Sequence, residues 1–403
     1  MPGTLLRDQT FRYWYLARSI SYAGTAATAV ALPLLAYRET GSATLTGLVA
    51  AAESLPYLLF GLFAGAVADR VPRLPLMIAA ECLAATVVLS APIAEACGVL
   101  TGVHIVAVAA AIGFAFCWFD AAAWGALTRI TGRDRLTSAN SLIWATATVT
   151  GIAVPALAGV AATVSDPGVV LVADALTYVV SMLLLLRVGG AALAGPAAPA
   201  VRRSLRADIL DGLSYLWRQP VIRTLSLTGF GLSTAAGGAL ALLVVHAREQ
   251  LGLGAGDQRI GLLYTAAAAG ALLAALALPW LSRILGTGRL SIAGYLLFLL
   301  ALGALATTRH LAAAVLVWAV CDFASASAIT NGITVRQRLT PDELQGRVNT
   351  TGRMIAWGGT PVGAALGGFL ADAYGVSVAY AALTIPVAIS LLVLIVSPVR
   401  ALR

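Results

Sequence analysis

Acidic side chains inside long apolar segments are the positions of this sequence best suited to chemistry. A charge at the centre of a bilayer costs at least about 2.5 kcal/mol, so it needs a partner or a water-filled cavity. Glu53 and Asp322 lie near the middle of their segments, where a carboxylate can be reached from each side of a membrane in turn. Both are candidate proton-binding groups. Five acids share this apolar setting: Glu53, Glu81, Asp120, Asp174 and Asp322.

The alternative roles differ from acid to acid. Glu53 is either a proton carrier or a group that is hydrogen-bonded between helices. Asp322 lies in the polar, small-residue run CDFASASAITN, which indicates a cavity wall. Asp120 is either a structural partner of Arg18, in the same half of the membrane, or a third group in proton coupling. Structural roles are expected for the remaining two, Glu81 and Asp174.

Aromatic rings on the fourth apolar segment, with two further rings downstream, form the second group of candidate residues. Such rings can line a pocket for an amphiphilic molecule. Packing between helices or contact with lipid is the alternative for each ring. The candidate substrate-binding residues are Phe116, Trp118, Phe119, Phe323 and Trp357.

The composition indicates that a membrane positions these groups. Hydrophobic residues make up 60% of the 403 residues and charged residues only 11%, against roughly 25% charged residues in soluble domains. Twelve apolar runs are each long enough to cross a bilayer as a helix, which takes roughly 20 residues. They do not alternate in polarity as barrel strands do. We therefore predict an all-α membrane protein with twelve transmembrane helices.

The apolar runs divide into six before residue 189 and six after residue 220. We predict an N-terminal six-helix bundle at 1–188, a cytoplasmic linker at 189–220 and a C-terminal six-helix bundle at 221–403. Within the linker, leucine and isoleucine residues between positions 205 and 216 recur at helical spacing. This pattern predicts an amphipathic helix on the membrane surface.

The positions of the arginines predict the orientation in the membrane. All 26 basic residues are Arg, and 20 fall at the termini and in alternate connections, against 4 in the remaining connections. Because cytoplasmic loops carry an excess of positive charge, we expect both termini in the cytoplasm. The net charge of +8 is then a feature of membrane orientation, and we expect no nucleic-acid partner.

The two halves of the chain resemble each other. Arg129 and Asn140 follow the fourth run, Arg338 and Asn349 follow the tenth, and each pair is 11 residues apart. Duplicated six-helix halves joined by a cytoplasmic loop are typical of transporters, in which two bundles rock about a substrate site. We therefore expect two pseudo-symmetric bundles and a small-molecule substrate.

The loop after the second run carries a family motif. Its residues GAVADRVPR, from Gly65 to Arg73, resemble the G-x-x-x-D-R-x-G-R signature of the major facilitator superfamily, with Pro72 where Gly is usual. The strings DILDGLSYLWRQPVIR, RQRLTPDELQGRVNT and PVGAALGGFLADAYG are similar to the branch that holds macrolide-efflux and enterobactin-exporter proteins. The resemblance implies the major facilitator fold. It also implies a conformational switch on the cytoplasmic side, formed by Gly65, Asp69, Arg70 and Arg73.

These features together favour a secondary active transporter. We expect proton-coupled efflux of an amphiphilic small molecule (an antibiotic, drug or siderophore) by alternating access, and the outward direction rests on the branch resemblance. A proton-coupled importer of a small metabolite is the alternative. A non-transporting membrane receptor or a membrane enzyme is the alternative of another class.

Signatures of other chemistry are missing from the sequence. It contains no P-loop, no HExxH motif and no nucleophile elbow, so we expect no enzyme activity, no cofactor and no metal. The expected state is a monomer in the inner or plasma membrane of a bacterium. Its expected partners are the substrate, protons and the lipid bilayer.

Overall fold

The computed structural model describes residues 5–68, 70–188, 213–254, 257–341 and 345–402. Helices account for nearly all of these residues, and no strand occurs among them. The chain divides into two compact units: unit 1 comprises Met1–Glu39 and Ala52–Arg202, and unit 2 comprises Thr40–Ala51 and Arg203–Arg403. The predicted boundaries of the two bundles and the linker stay predictions.

Six membrane-crossing helices lie wholly or mostly in unit 1. The helical run Gly102–Val164 is interrupted at Gly132, whose φ of 67° lies in the left-handed region that only glycine adopts at low cost. The run is therefore two spans. The helices are α1 (Gln9–Thr40), α2 (Ala43–Ala68), α3 (Arg73–Ala96), α4 (Gly102–Leu127), α5 (Ser138–Ala162) and α6 (Pro167–Val188).

The remaining helices lie in unit 2. The helical run Arg259–Thr307 has 49 residues and would be about 74 Å long as one helix, more than twice a hydrocarbon core of about 30 Å. It breaks at Gly286, which has a φ of 75°, so it makes two crossings. The helices are α7 (Pro220–Ala241, continued by Leu243–Glu249 after a 46° bend), α8 (259–285), α9 (287–307), α10 (Leu311–Leu339), α11 (Gln345–Trp357 and Gly359–Tyr374) and α12 (Val376–Val396).

The described part of the chain therefore holds the twelve spans that the sequence predicted. Both units expose large apolar side chains, among them Leu176 of unit 1 and Leu276 and Val396 of unit 2. In lipid, a helix satisfies its own backbone hydrogen bonds, so an apolar outer surface is the stable arrangement. In water, apolar patches of this extent would favour aggregation.

The first helix is fixed at its start and along its length. Oδ1 of Asp8 accepts hydrogen bonds from two backbone amides of the first turn, at 3.1 and 3.3 Å, which is an N-cap arrangement. Phe11 and Trp14 are buried in a cluster with Met77 of α3 and Leu127 of α4. This packing holds α1 against the helices that carry the candidate acids of unit 1.

Glycines bring α7 and α11 into direct contact within unit 2. A Cβ atom at Gly363 would overlap the carbonyl oxygen of Thr234, and a Cβ at Gly238 would lie 2.7 Å from the carbonyl oxygen of Gly363. Side chains of any size would hold the two backbones apart. Small residues serve this purpose between membrane helices in general, because they allow close van der Waals packing.

The first turn of α2 also belongs to unit 2, where α11 caps it. The carboxylate of Asp372 accepts hydrogen bonds from the Ser42 hydroxyl at 2.8 Å and from the backbone amides of Ala43 and Thr44 at 2.7 and 2.8 Å. These amides have no partner within the helix, and the positive end of the helix dipole favours a carboxylate there.

We expect Asp372→Ala to destabilise unit 2 by about 0.5–2 kcal/mol, the usual effect of losing an N-cap side chain. The measurement is thermal unfolding of the purified protein in detergent micelles, followed by its tryptophan fluorescence.

Asp257→Ala is the control for this experiment. Asp257 lies before α8 and accepts hydrogen bonds from the side chain of Arg259, which lower the pKa of its carboxyl group. That pair is exposed, and exposed pairs contribute about 0–1 kcal/mol. Asp257 also accepts a hydrogen bond from the backbone amide of Arg259 at 2.9 Å, so this variant measures the loss of an exposed acid at a helix start. An unfolding temperature of Asp372→Ala equal to that of the wild type would mean that the carboxylate of Asp372 contributes nothing as a cap.

Most of the predicted amphipathic helix lies outside the described residues. Its last part, residues 213–218, is helical. Leu216 is buried there with Ile222 and Val348, whereas the neighbouring Trp217 is half exposed. This segment is therefore anchored to unit 2 on one side only.

Candidate functional site

Glu53 lies on α2 at a close contact with α4. A Cβ atom at Gly113 would overlap the carbonyl oxygen of Glu53, so the two backbones touch at this level. The Glu53 side chain is partly exposed. Among the described residues it forms no salt bridge. Glu53 is therefore a mid-span carboxyl group with accessible surface, and no described residue provides it with a fixed countercharge.

Asp120 lies about two helical turns after Gly113 on α4 and is 7% exposed. Its Oδ1 accepts a hydrogen bond from Nη2 of Arg18 at 2.7 Å. Its Oδ2 accepts a long hydrogen bond from the Tyr57 hydroxyl at 3.4 Å. The guanidinium of Arg18 also lies 4.8 Å from the ring centroid of Trp124, which is within cation–π range. Asp120 was expected to be either a structural partner of Arg18 or a group in proton coupling. This geometry supports the ion pair with Arg18 directly.

These groups form a continuous strip on α2 and α4. Glu53 and Tyr57 are one helical turn apart on α2, as are Phe116 and Asp120 on α4, so each pair shares a face. The rings of Tyr57 and Phe116 lie 6.2 Å apart. We call Glu53, Tyr57, Phe116 and Asp120 the acid–aromatic strip. It presents a carboxyl group at each end and two rings between them.

Further rings continue beside this strip. Phe60 meets Phe114 edge-on at 5.5 Å, and Phe63 meets Trp118 edge-on at 6.0 Å. Trp118 is partly exposed, whereas Phe119 is 6% exposed and belongs to the core of unit 1. Of the predicted binding residues in unit 1, Phe116 and Trp118 therefore have accessible surface, whereas Phe119 mainly packs against its neighbours in the core.

The predicted residues of unit 2 lie on α10 and α11. Asp322 and Phe323 are both partly exposed on α10, and the described part of the chain gives Asp322 no salt bridge. The Ser325 hydroxyl donates to the carbonyl oxygen of Asp322 at 3.2 Å. Trp357 ends the first segment of α11 and is 48% exposed. Asp322 thus resembles Glu53 in being a mid-span carboxyl group without an ion-pair partner.

The signature loop is described in part. Asp69 lies outside the described residues. Gly65 is helical, and a Cβ there would meet nothing within 4 Å, so glycine is not required by packing within the chain. Arg70 is exposed, whereas Arg73 is buried and lies directly on α4, where a Cβ at Gly125 would be 2.5 Å from its Nε. The conformational switch formed by these residues stays a prediction.

Two polar features were not among the predicted site residues. One is the cap that Asp372 forms on α2, and the other is a buried group of hydroxyls and carboxylates between α1, α3 and α6. The second had a signal in the sequence. Ser21, Thr25 and Thr28 recur at positions i, i+4 and i+7 in an apolar segment, so their hydroxyls share one helix face.

The fold is that of known transporters. A solved structure of a mutant of the nucleoside transporter NupG matches with a TM-score of 0.77 and 13% identity, over 96% of this chain and 99% of that chain. A bacterial homologue of the iron transporter ferroportin, in an inward-facing state, matches with a TM-score of 0.74 and 16% identity, over 97% and 98% of the two chains. At such identities the likeness concerns the fold alone.

A curated relative is closer in sequence. The multidrug efflux pump Tap of Mycolicibacterium fortuitum is 28% identical over 375 residues, which cover 90% of each chain. The fold and this relationship define the protein as a secondary transporter of the major facilitator superfamily, which confirms the predicted fold class. Within that class, the chain belongs to the family of transmembrane secretion effectors, whose model matches residues 2–403.

Proposed function

We propose that this transporter exports a cationic amphiphilic small molecule in exchange for protons. The acid–aromatic strip of unit 1 is the observation that carries the proposal. Aromatic faces attract both apolar groups and cations, and the carboxylate of Glu53, which forms no salt bridge among the described residues, favours a positive charge at one end of the strip. The relationship to a multidrug efflux pump supports the outward direction.

Glu53 and Asp322 are the proposed coupling groups. Each is a mid-span carboxyl group without an ion-pair partner in the described part of its unit, so a proton is available to neutralise it. A substrate cation and a proton that compete for the same carboxylate exchange with each other, because only one of them can neutralise it at a time. Asp120 has a fixed partner, and we propose for it a secondary part in coupling through the Tyr57 hydroxyl.

The substrate-binding residues and the orientation complete the proposal. Phe116, Trp118, Phe119, Phe323 and Trp357 are proposed to contact the substrate, with Phe119 acting mainly through the packing of its neighbours. The distribution of Arg along the sequence supports an orientation with both termini in the cytoplasm of a bacterium. A monomer is sufficient for this mechanism, since both units are present in one chain.

Everted membrane vesicles test the proposal. We expect wild-type vesicles to accumulate a fluorescent lipophilic cation when a proton gradient is applied, and we expect a protonophore to abolish this accumulation. Glu53→Gln and Asp322→Asn should each reduce it to the level of the protonophore-treated wild type, because neither amide binds the exchanged proton.

The matched control is Asp257→Asn, which changes an acid in a connection outside the spans. It should accumulate the dye as the wild type does. Accumulation in right-side-out vesicles in place of everted ones would instead indicate import. If a gradient drives no transport in either orientation and both acid variants bind the dye with wild-type affinity, the proposed exchange is wrong.

A further inference from the structure

A second acidic site lies inside unit 1, next to Phe116 of the acid–aromatic strip. Two carboxylates are almost completely enclosed there: Asp174 is 1% exposed and Glu81 is 2% exposed. Hydroxyl groups surround both of them. We call this group the hydroxyl cluster, and its members are Ser21, Thr25 and Thr28 of α1, Glu81 of α3, and Asp174, Thr177, Tyr178 and Ser181 of α6.

Asp174 is held at both carboxylate oxygens. Its Oδ2 accepts a short hydrogen bond from the Thr28 hydroxyl, and its Oδ1 accepts one from the Thr177 hydroxyl at 3.0 Å. Gly24 of α1 leaves room for this carboxylate, because a Cβ there would overlap it. A hydroxyl pair, Thr25 and Tyr178 at 2.9 Å, lies next to it. Asp174 is thus fixed in place by neutral donors.

Glu81 is held at one oxygen only. Its Oε1 accepts a hydrogen bond from the Ser181 hydroxyl at 2.8 Å. Its Oε2 is buried and makes no hydrogen bond of normal geometry in the part of the chain that the structure describes, although the Ser21 hydroxyl of α1 lies close to the carboxyl group. An unsatisfied, buried carboxylate oxygen is costly, so a structural role alone does not account for this arrangement.

A small cavity borders Glu81. It is lined by Ser21, Thr25, Tyr178 and Glu81, and by apolar residues of α3 and α4 that include Phe116 of the acid–aromatic strip. The space open to the centre of a water molecule is about 10 Å³, which is room for one water. Three hydroxyls and a carboxylate around such a space supply the two to four polar partners that a buried water needs.

Among the described residues, no side-chain cation pairs with these acids, and neither Glu81 nor Asp174 forms a salt bridge. The titratable groups that face Glu81 are Asp174 and Tyr178, both on α6; α1 contributes neutral hydroxyls, and α4 contributes apolar side chains. Arg18, one turn before Ser21, is already paired with Asp120. Two buried negative charges without a countercharge would each have a high free energy.

We propose that Glu81 is a proton-binding group of unit 1 and that its proton exchanges through the cavity and the hydroxyls of the hydroxyl cluster. The proposal rests on the proposed function, to which it adds a coupling group outside the substrate strip. The step is a proton transfer: a proton that reaches the cavity as hydronium passes to Oε2 and leaves a neutral water behind, and the reverse step returns it. The proton fills the place of the missing donor on Oε2, and it removes the buried charge.

Infrared difference spectroscopy of the purified full-length protein tests proton binding without reference to transport. Between acidic and alkaline buffers, we expect carbonyl bands of protonated carboxyl groups that shift in heavy water. A background of Glu53→Gln and Asp322→Asn removes those of the two proposed coupling groups and leaves the band of the hydroxyl cluster. Glu81→Gln should remove this band, and Ser181→Ala should move its frequency by removing the hydrogen bond to Oε1. Glu95→Gln is the matched control, because it makes the same change near the end of the same helix and should leave the band in place.

Two results of the spectroscopy would overturn the proposal. One is an identical difference spectrum for wild type and Glu81→Gln. The other is a band that responds at constant pH to the exchange of choline for Na⁺, which would assign the site to a sodium ion. In the first case, loss of the band in Asp174→Asn would show that the proton is bound by Asp174.

Transport measurements in vesicles distinguish a failure of this proposal from a failure of the proposed function. In vesicles, Glu81→Gln should still exchange dye down its concentration gradient, but its proton-driven accumulation should fall to the level of protonophore-treated wild type. Proton-driven accumulation equal to that of Glu95→Gln would contradict a coupling role for Glu81. If the wild type itself shows no proton-driven transport, the proposed function fails, and the infrared band still decides whether Glu81 binds a proton.

Discussion

Asp120→Asn is expected to destabilise unit 1 by about 3–5 kcal/mol, the range found when one partner of a buried ion pair is removed. The reason is the charge that remains. Arg18 and Asp120 are 2.7 Å apart, and their side chains are only 16% and 10% exposed. The amide of Asn can still accept a hydrogen bond, but it leaves the guanidinium buried without a countercharge.

A double variant separates the charge from the packing. Arg18→Met together with Asp120→Leu replaces both charges by apolar side chains, and such replacements are often neutral or stabilising. We therefore expect the double variant to unfold at a higher temperature than Asp120→Asn alone. The ring of Trp124 faces Arg18 at 4.8 Å and should pack against Met in its place.

An exposed pair provides the control. Asp8 lies 3.6 Å from Arg135, and the two side chains are 30% and 46% exposed, so Asp8→Asn should cost no more than about 1 kcal/mol for the lost pair. Thermal unfolding in detergent compares the variants. If Asp120→Asn and Asp8→Asn lower the unfolding temperature equally, the Arg18–Asp120 pair does not stabilise unit 1.

The same double variant addresses the two roles of Asp120. A stable double variant that still accumulates dye in a proton gradient would identify Asp120 as a structural partner of Arg18. A stable double variant that binds dye but does not respond to the gradient would identify it as a coupling group. The single variant cannot give this answer, because loss of stability and loss of coupling both reduce transport.

The fold could be predicted from the sequence because the length of an uncharged segment indicates a transmembrane helix. A helix crosses a bilayer core in roughly 20 residues, and each run that meets this length is a span in the structure. The breaks at Gly132 and Gly286 fall in the connections that the spacing of the runs required. The superfamily followed from the loop that begins at Gly65, since a short motif of turn and charged residues carries information that apolar runs do not.

The orientation of side chains about each helix did not follow from the sequence. Membrane helices are apolar on all sides, so the hydrophobic periodicity that marks the buried face of a soluble helix is weak here. Phe116 and Phe119 are three residues apart and both were predicted to bind substrate, but Phe119 is in the core of unit 1. This burial favours the alternative of packing for Phe119, and its part in substrate binding stays a prediction.

Contacts between distant segments were also beyond the sequence. The cap of α2 comes from Asp372, 330 residues after Ser42. A local sequence pattern does not indicate a cap that another helix supplies. The hydroxyls at positions 21, 25 and 28 recur at helical spacing, but the sequence alone could not show that Glu81 and Asp174 lie opposite them. The structural roles expected for these two acids stay untested, and the enclosed oxygen of Glu81 is the reason for the different role proposed above.

Gly363→Ala is expected to destabilise unit 2 by about 1–3 kcal/mol, the usual effect of adding atoms to a packed core. A Cβ at this position would overlap the carbonyl oxygen of Thr234 on α7, and a backbone carbonyl cannot turn aside as a side chain does. Ala favours a helix over Gly by about 0.8–1 kcal/mol, so any net loss of stability would have to come from the contact with α7.

Gly367→Ala is the matched control, one helical turn further along α11. A Cβ there would lie 3.4 Å from the Cα of Gly238, an ordinary van der Waals contact, so this variant should be as stable as the wild type or slightly more so. Thermal unfolding in detergent, with the retention volume on size exclusion as a check of folding, measures both variants. If both are equally stable, the distance between α7 and α11 is not set at Gly363, and the close contact of their backbones tolerates a methyl group by a small shift of one helix.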